Sequence, residues 1–264
     1  MRSGSIFRAR LRAAFALFLV SMLVFPACSH EKKQRKDLIS ESSLTIIFSS
    51  DLLGKIRSCG CAIEDMGGLG RNATYVENMR RSVPNLIVVN VGDVFSLDLS
   101  YSKTEAELTF DVFNLMCMDA FTPGELEFIF GLPFLEMLAE RANFDILAAN
   151  VVDSETGETV FGPAYAIREL DGGVRVGITG VLDELIRFPG YVDTSSFKIA
   201  PVAKTLRKIM PDLKEESDFL ILLSHMGLER SRALAGEIPD FDLIVVGHGK
   251  PLIKNTEKIG KTFM

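Results

Sequence analysis

The 264-residue chain has no tryptophan, only three histidines and only four cysteines. It carries no visible internal repeat and no low-complexity tract. It also lacks a surplus of positive charge. Its formal net charge is −6, which argues against non-specific nucleic-acid binding. Nineteen phenylalanines supply aromatic core volume in place of tryptophan. With so few histidines, their positions carry weight. His30 lies in a polar stretch, whereas His225 and His248 each end an apolar run.

The amino terminus reads as a separate segment. Arg2, Arg8, Arg10 and Arg12 precede an apolar stretch from Ala13 to Ala27, followed by Cys28. A basic start and a short apolar run fit a secretory signal peptide and are short for a membrane span. The ending Phe25-Pro26-Ala27-Cys28 resembles a bacterial lipobox, with Phe25 an unusual residue at its first position. The expected division is a signal peptide over 1–27, an acylated Cys28 with a polar tether over 28–43, and a folded domain over 44–264. That implies an exported, membrane-anchored lipoprotein, periplasmic or on the outer face, held through Cys28. A plain signal peptide and an uncleaved anchor are the alternatives. Removing a leader with four arginines and no acid takes the formal charge from −6 to about −10. Cys117, in the helix-like run Phe113–Cys117, reads as a small buried apolar residue.

Four apolar runs stop at an acid or an imidazole. Leu44–Ser50 runs into Asp51, Leu86–Gly92 into Asp93, Phe219–Ser224 into His225 and Leu243–Gly247 into His248. Continuous Val/Ile/Leu runs of this length read as strands buried on both faces. Ligands in open α/β sheets bind beyond the carboxyl ends of the strands. Two carboxylates and two imidazoles thus converge on one rim, a ligand set for Mn, Fe, Zn or Mg. Helices are expected near Asn72–Arg81, Thr104–Met118, Leu132–Ala142, Lys204–Lys214 and Leu228–Ala235. A turn is expected over Phe121–Phe128, a short buried strand over Ile146–Val151, and a hairpin where Ala164–Leu170 and Val174–Val181 flank Asp171-Gly172-Gly173. The class is α/β with a mixed sheet.

These strand-end residues and their neighbours resemble the 5′-nucleotidase branch of the calcineurin-like metallophosphoesterases, over about Leu44 to Leu252. The family pattern runs DxH, GD, GNHE, HxG, GHxH. The matching stretches are Asp51-Leu52-Leu53-Gly54, Gly92-Asp93, Gly124-Glu125-Leu126-Glu127, His225-Met226-Gly227 and Gly247-His248-Gly249-Lys250. The resemblance implies a four-layer αββα sandwich and a two-metal site bridged by the counterpart of Asp93. The first metal's ligands fall at Asp51, Leu53 and Lys250, so only the aspartate remains. The second metal's fall at Glu125, His225 and His248, all able to coordinate. Leu126 stands where the family has the histidine that assists the departing oxygen. Leucine and protonated lysine offer no lone pair to a metal. The expected metal set is therefore Asp51, Asp93, Glu125, His225 and His248, holding at most one divalent ion, with Mn, Fe or Zn favoured. The Lys250 ammonium is expected to take the vacated first position and bridge Asp51 and Asp93.

Cys59-Gly60-Cys61 lies in the loop after Asp51, followed by Met66-Gly-Gly-Leu-Gly-Arg71, which resembles the family's GGxAR element. A group of exported nucleotidase-like bacterial proteins carries CGC or its selenocysteine form at this place, and the chain is similar to them. A structural disulfide, a redox pair and a pair of soft metal ligands all remain open for Cys59 and Cys61. Three functions follow: a metal-dependent phosphoester hydrolase, a lipid-anchored domain binding a small phosphorylated ligand or a partner through an altered cleft, and a thiol redox protein acting on a thiol partner. The second ranks first, with little or no hydrolysis expected. Family members continue with strands that complete the second sheet. Ile259–Met264 reads as the start of such a strand, so an open sheet edge is expected.

Overall fold

Along β2 (Leu86–Asn90), successive side chains leave the strand toward two different cores. The computed structural model describes residues 43–60, 67–249 and 255–264. Leu86 and Val88 pack in one buried cluster, Ile87 and Val89 in another. This is the period-two alternation of a strand covered on both faces, so both sets of positions are apolar. β1 (Thr45–Ser49), β2, β3 (Ala120–Phe121) and β4 (Asp145–Ile146) form a parallel four-stranded sheet in that order. On its outer face lie α1 (Leu69–Ser82), α2 (Lys103–Leu115) and α3 (Leu132–Arg141), through Val76, Phe110, Phe113 and Leu135.

The second sheet is built the same way. β7 (Arg175–Leu182), β9 (Phe219–His225) and β10 (Leu243–Val246) run parallel. β6 (Tyr165–Glu169) pairs antiparallel with β7, as the Asp171-Gly172-Gly173 turn requires. Leu220 and Leu222 of β9 pack under α4 (Val202–Glu216) and α5 (Gly227–Glu237), while Ile221 and Leu223 face the first sheet. The αββα order expected from sequence is the observed one. The inter-sheet core joins Ile87, Val89, Val91 and Ala120 to Ile178, Ile221, Leu223 and Val245.

Some local expectations are corrected. Ile146–Val151 is not one strand. β4 ends at Ile146, and β5 (Val151–Asp153) starts a separate two-stranded sheet with β8 (Phe197–Ile199). The buried Asn150 amide causes the break by bonding the Leu182 and Ala200 carbonyls and the Leu182 N–H. The stretch expected as a turn around Phe121–Phe128 contains β3 and then a 3₁₀ helix over Glu125–Phe130. The last residues form a hairpin rather than one strand. β11 (Lys258–Ile259) pairs antiparallel with β12 (Thr262–Phe263), which lies parallel to β10. At the far edge of the first sheet, β1 leaves Phe48 exposed. Among the described residues, no helix is long and apolar enough to cross a membrane.

Candidate metal centre

The two sheets contribute different chemistry to one rim. Asp93 and Glu125 follow β2 and β3 of the first sheet, and His225 and His248 follow or end β9 and β10 of the second. One ligand atom from each of these four lies within 4.8 Å of the others. His225 Nε2 is 3.2 Å from Glu125 Oε2 and 3.5 Å from Asp93 Oδ2. His248 Nδ1 is 3.3 Å from Glu125 Oε2 and 3.9 Å from Asp93 Oδ2.

The backbone explains the convergence. Asp51, Leu53, Asp93 and His248 all have left-handed φ, at 52°, 49°, 54° and 60°. Such conformations are uncommon outside glycine and concentrate where structure is held for function. After β2, the Asn90 side chain accepts the Gly92 N–H and donates to Ser49, fixing the chain as it leaves the sheet. Gly92, Gly124 and Gly247 then press against the His225 ring. A Cβ on Gly124 would lie 2.5 Å from His225 Cε1, and one on Gly92 would lie 2.8 Å from its Nδ1. The fully buried ring donates its Nδ1 proton to the Val91 carbonyl at 2.6 Å. A carbonyl can only accept, so the other nitrogen turns toward the carboxylates, the orientation a metal-ligating histidine needs.

The four groups interact strongly. Burial opposes charge on His225, but the bonds to Asp93 and Glu125 outweigh it and raise its pKa to about 10. The same two acids raise His248 to about 10. Burial pushes Asp93 and Glu125 upward, yet the two imidazoles win and hold both carboxyls below their ordinary range. Two oxygen and two nitrogen donors, gathered at this spacing with His225 Nε2 turned toward the acids, are a set that could hold a divalent ion.

The remaining expected residues are placed as follows. Asp51 is not one of the four. Its Oδ1 accepts the Gly249 N–H at 3.3 Å. Leu53 lies next to the cleft backbone, its N–H bonded to the Asp93 carbonyl, and the residue is 37% exposed. The Leu126 N–H donates to Asp93 Oδ1 at 3.2 Å, and its side chain is buried. Cys59 is exposed. Cys28, Cys61 and Lys250 lie outside the described residues, and so does the proposed Lys250 bridge. One residue went unassigned in the sequence: Glu127. It is fully buried beneath Asp93, and its carboxylate gathers four backbone N–H groups. Its signal was an acid set between Leu126 and Phe128 in an otherwise apolar run.

No family model matches the chain. A 2′,3′-cyclic-nucleotide 2′-phosphodiesterase/3′-nucleotidase of Haemophilus influenzae is 26% identical over 73% of this chain and 33% of its own length. A 5′-nucleotidase of Vibrio cholerae is 25% identical over 95% of this chain and 47% of its own. The chain thus spans a third to a half of these relatives. A solved calcineurin-like phosphoesterase from Bacillus subtilis superimposes with a TM-score of 0.64 at 26% identity, over 78% of this chain and 71% of that one. A sulfate thiohydrolase from Thermus thermophilus shares the fold with a TM-score of 0.75 at 21% identity, over 86% and 52%.

Proposed function

The chain is a distant homologue of the calcineurin-like metallophosphoesterases, in their 5′-nucleotidase and cyclic-nucleotide phosphodiesterase branch, and from that premise we propose a one-metal cleft that binds more than it hydrolyses. Asp93, Glu125, His225 and His248 would hold a single Mn, Fe or Zn ion. Their mutual approach within 4.8 Å is the observation that carries the reading. Bound there, a divalent ion supplies Lewis-acid polarisation of a phosphoryl oxygen. Its ligand is then a small phosphorylated molecule, with the phosphate directed to the cleft.

The chain's own residues favour weak turnover. By the motif resemblance, Leu126 stands where the family has the histidine that assists the leaving oxygen, and it is a buried hydrocarbon that neither donates nor accepts a proton. Loss of a positioned acid costs about 10²–10⁴-fold in rate. By the motif resemblance, Leu53 and Lys250 fall at two further ligand positions in the sequence, and neither residue type offers a lone pair to a second metal.

The four-donor cluster also favours a second reading, a metal-dependent phosphoester hydrolase of altered chemistry. One experiment separates the two. The protein is purified without chelator, its metal content measured, and hydrolysis of several phosphoesters assayed with excess Mn²⁺. One ion per chain with negligible turnover supports the binding reading. Turnover matching an intact relative establishes the hydrolase, and absence of bound metal sinks both.

Around this cleft we place an exported lipoprotein, tethered to the membrane by Cys28, and we assign Cys59 and Cys61 to thiol chemistry with a partner. Incorporation of labelled fatty acid, lost in Cys28→Ser, tests the anchor. A reversible change in thiol count, lost in Cys59→Ser, tests the thiol role.

A further inference from the structure

Directly beneath the cluster sits a carboxylate that is not one of its four donors. Glu127 is fully buried. Its Oε2 accepts the N–H groups of Gly124 at 2.6 Å and Asp93 at 2.9 Å. Its Oε1 accepts those of Val94 at 2.8 Å and Phe95 at 3.2 Å. Three consecutive amides, 93 to 95, therefore converge on one acid. Gly92 at φ 76° and Asp93 at φ 54° make that possible, because left-handed backbone turns successive N–H groups inward into an anion-holding nest.

The staple runs in both directions. Glu127 reaches from the loop after β3 to the backbone that carries Asp93. Asp93 reaches back, accepting the Leu126 N–H at 3.2 Å. The fourth amide Glu127 holds is that of Gly124, the residue before Glu125. Both carboxylates of the cluster are thus mounted on backbone that one buried acid ties together. Gly124 fits so closely that a Cβ there would stand 2.3 Å from Asp93 Oδ1. Nothing in this arrangement brings Glu127 itself to the cleft.

We infer that Glu127 is a positioning residue. Its carboxylate holds the amides of residues 93–95 and so locks the left-handed turn at Gly92-Asp93 that aims Asp93 at Glu125, His225 and His248, which sets the donor spacing. The effect on metal affinity rests on the one-metal reading; the effect on the backbone does not.

The test uses Glu127→Gln, which keeps the size but turns an –NH₂ toward amide donors. Partners of this kind command about 10–100-fold in metal affinity, and a Mn²⁺ titration should show that loss. Leu213→Ala, in the distant core under α4, serves as a control for lost stability. It should unfold earlier yet bind Mn²⁺ as the parent does. Amide hydrogen exchange without metal gives the second measurement. In the parent, the amides of Asp93, Val94, Phe95 and Gly124 should be as protected as those of β2, although none lies in a strand. In the variant they should exchange about tenfold faster, the upper end of what a lost hydrogen bond costs. Parent amides that exchange as fast as those of the exposed Asp98 loop overturn the inference, whether or not the variant folds. So does a variant with parental affinity and parental protection, or a Leu213→Ala protein that loses Mn²⁺ equally. A parent that binds no Mn²⁺ refutes the one-metal reading alone, and the exchange data still decide the role of Glu127.

Discussion

His225 donates its Nδ1 proton across the two sheets to the Val91 carbonyl at 2.6 Å. That bond fixes the ring plane and leaves Nε2 as the atom facing Asp93 and Glu125. A buried imidazole on the second sheet is thereby aligned by the backbone of the first.

Replacing His225 by alanine should weaken metal binding beyond the about 10–100-fold that outer-shell partners command, because a ligand itself is lost. Calorimetric titration with Mn²⁺ checks this. Metal at a hundred times its Kd should stabilise the parent by about 2.7 kcal/mol against thermal unfolding. Asp93→Asn should abolish most of that gain.

Metal uptake should release protons. Without metal, His225 and His248 hold theirs up to a pKa of about 10. A coordinating imidazole must give that proton up, so binding near neutral pH should liberate up to about two protons per ion. Affinity should therefore rise with pH across this range. Titrations in buffers of differing ionisation enthalpy measure the number released.

The metal-free protein should behave in the opposite sense. The folded pKa of His225, about 10, lies above its ordinary 6.5. Its stabilising contribution is then complete below pH 6.5 and is lost as pH rises through 10. The slope for one such proton is at most about 1.4 kcal/mol per pH unit. The depressed Asp93 pKa reflects the same pairing seen from the acid's side, so the two are counted once. Urea unfolding in chelator at pH values on either side of this window checks the direction.

Gly124→Ala should disturb the cluster more than the fold. The added methyl would meet Asp93 Oδ1 at 2.3 Å and His225 Cε1 at 2.5 Å. Overpacking of this kind costs about 1–3 kcal/mol. Mn²⁺ affinity should fall, while far-ultraviolet circular dichroism stays that of the parent.

Much of this was legible in the chain. The apolar runs ending at Asp93, His225 and His248 pointed to three of the four residues the fold gathers, because a doubly covered strand must be continuously apolar and its rim residue sits just past its end, while the same reasoning also picked Asp51, which the cluster leaves out. Glu125 came only from resemblance, since its strand, Ala120–Phe121, is too short to show a period. The split of Ile146–Val151 was hidden because it depends on the hydrogen bonds of Asn150 to segments 32 and 50 residues away. Glu127 escaped for the same reason. Its partners are backbone amides 32 to 34 residues earlier, and amides leave no trace in side-chain pattern.

The acids ride on one sheet and the imidazoles on the other, so an ion held by all four would act as a rivet between them. Shear of one layer against its neighbour would then break coordination before it broke any strand pairing, and the grip on the ion would report the alignment of the whole sandwich.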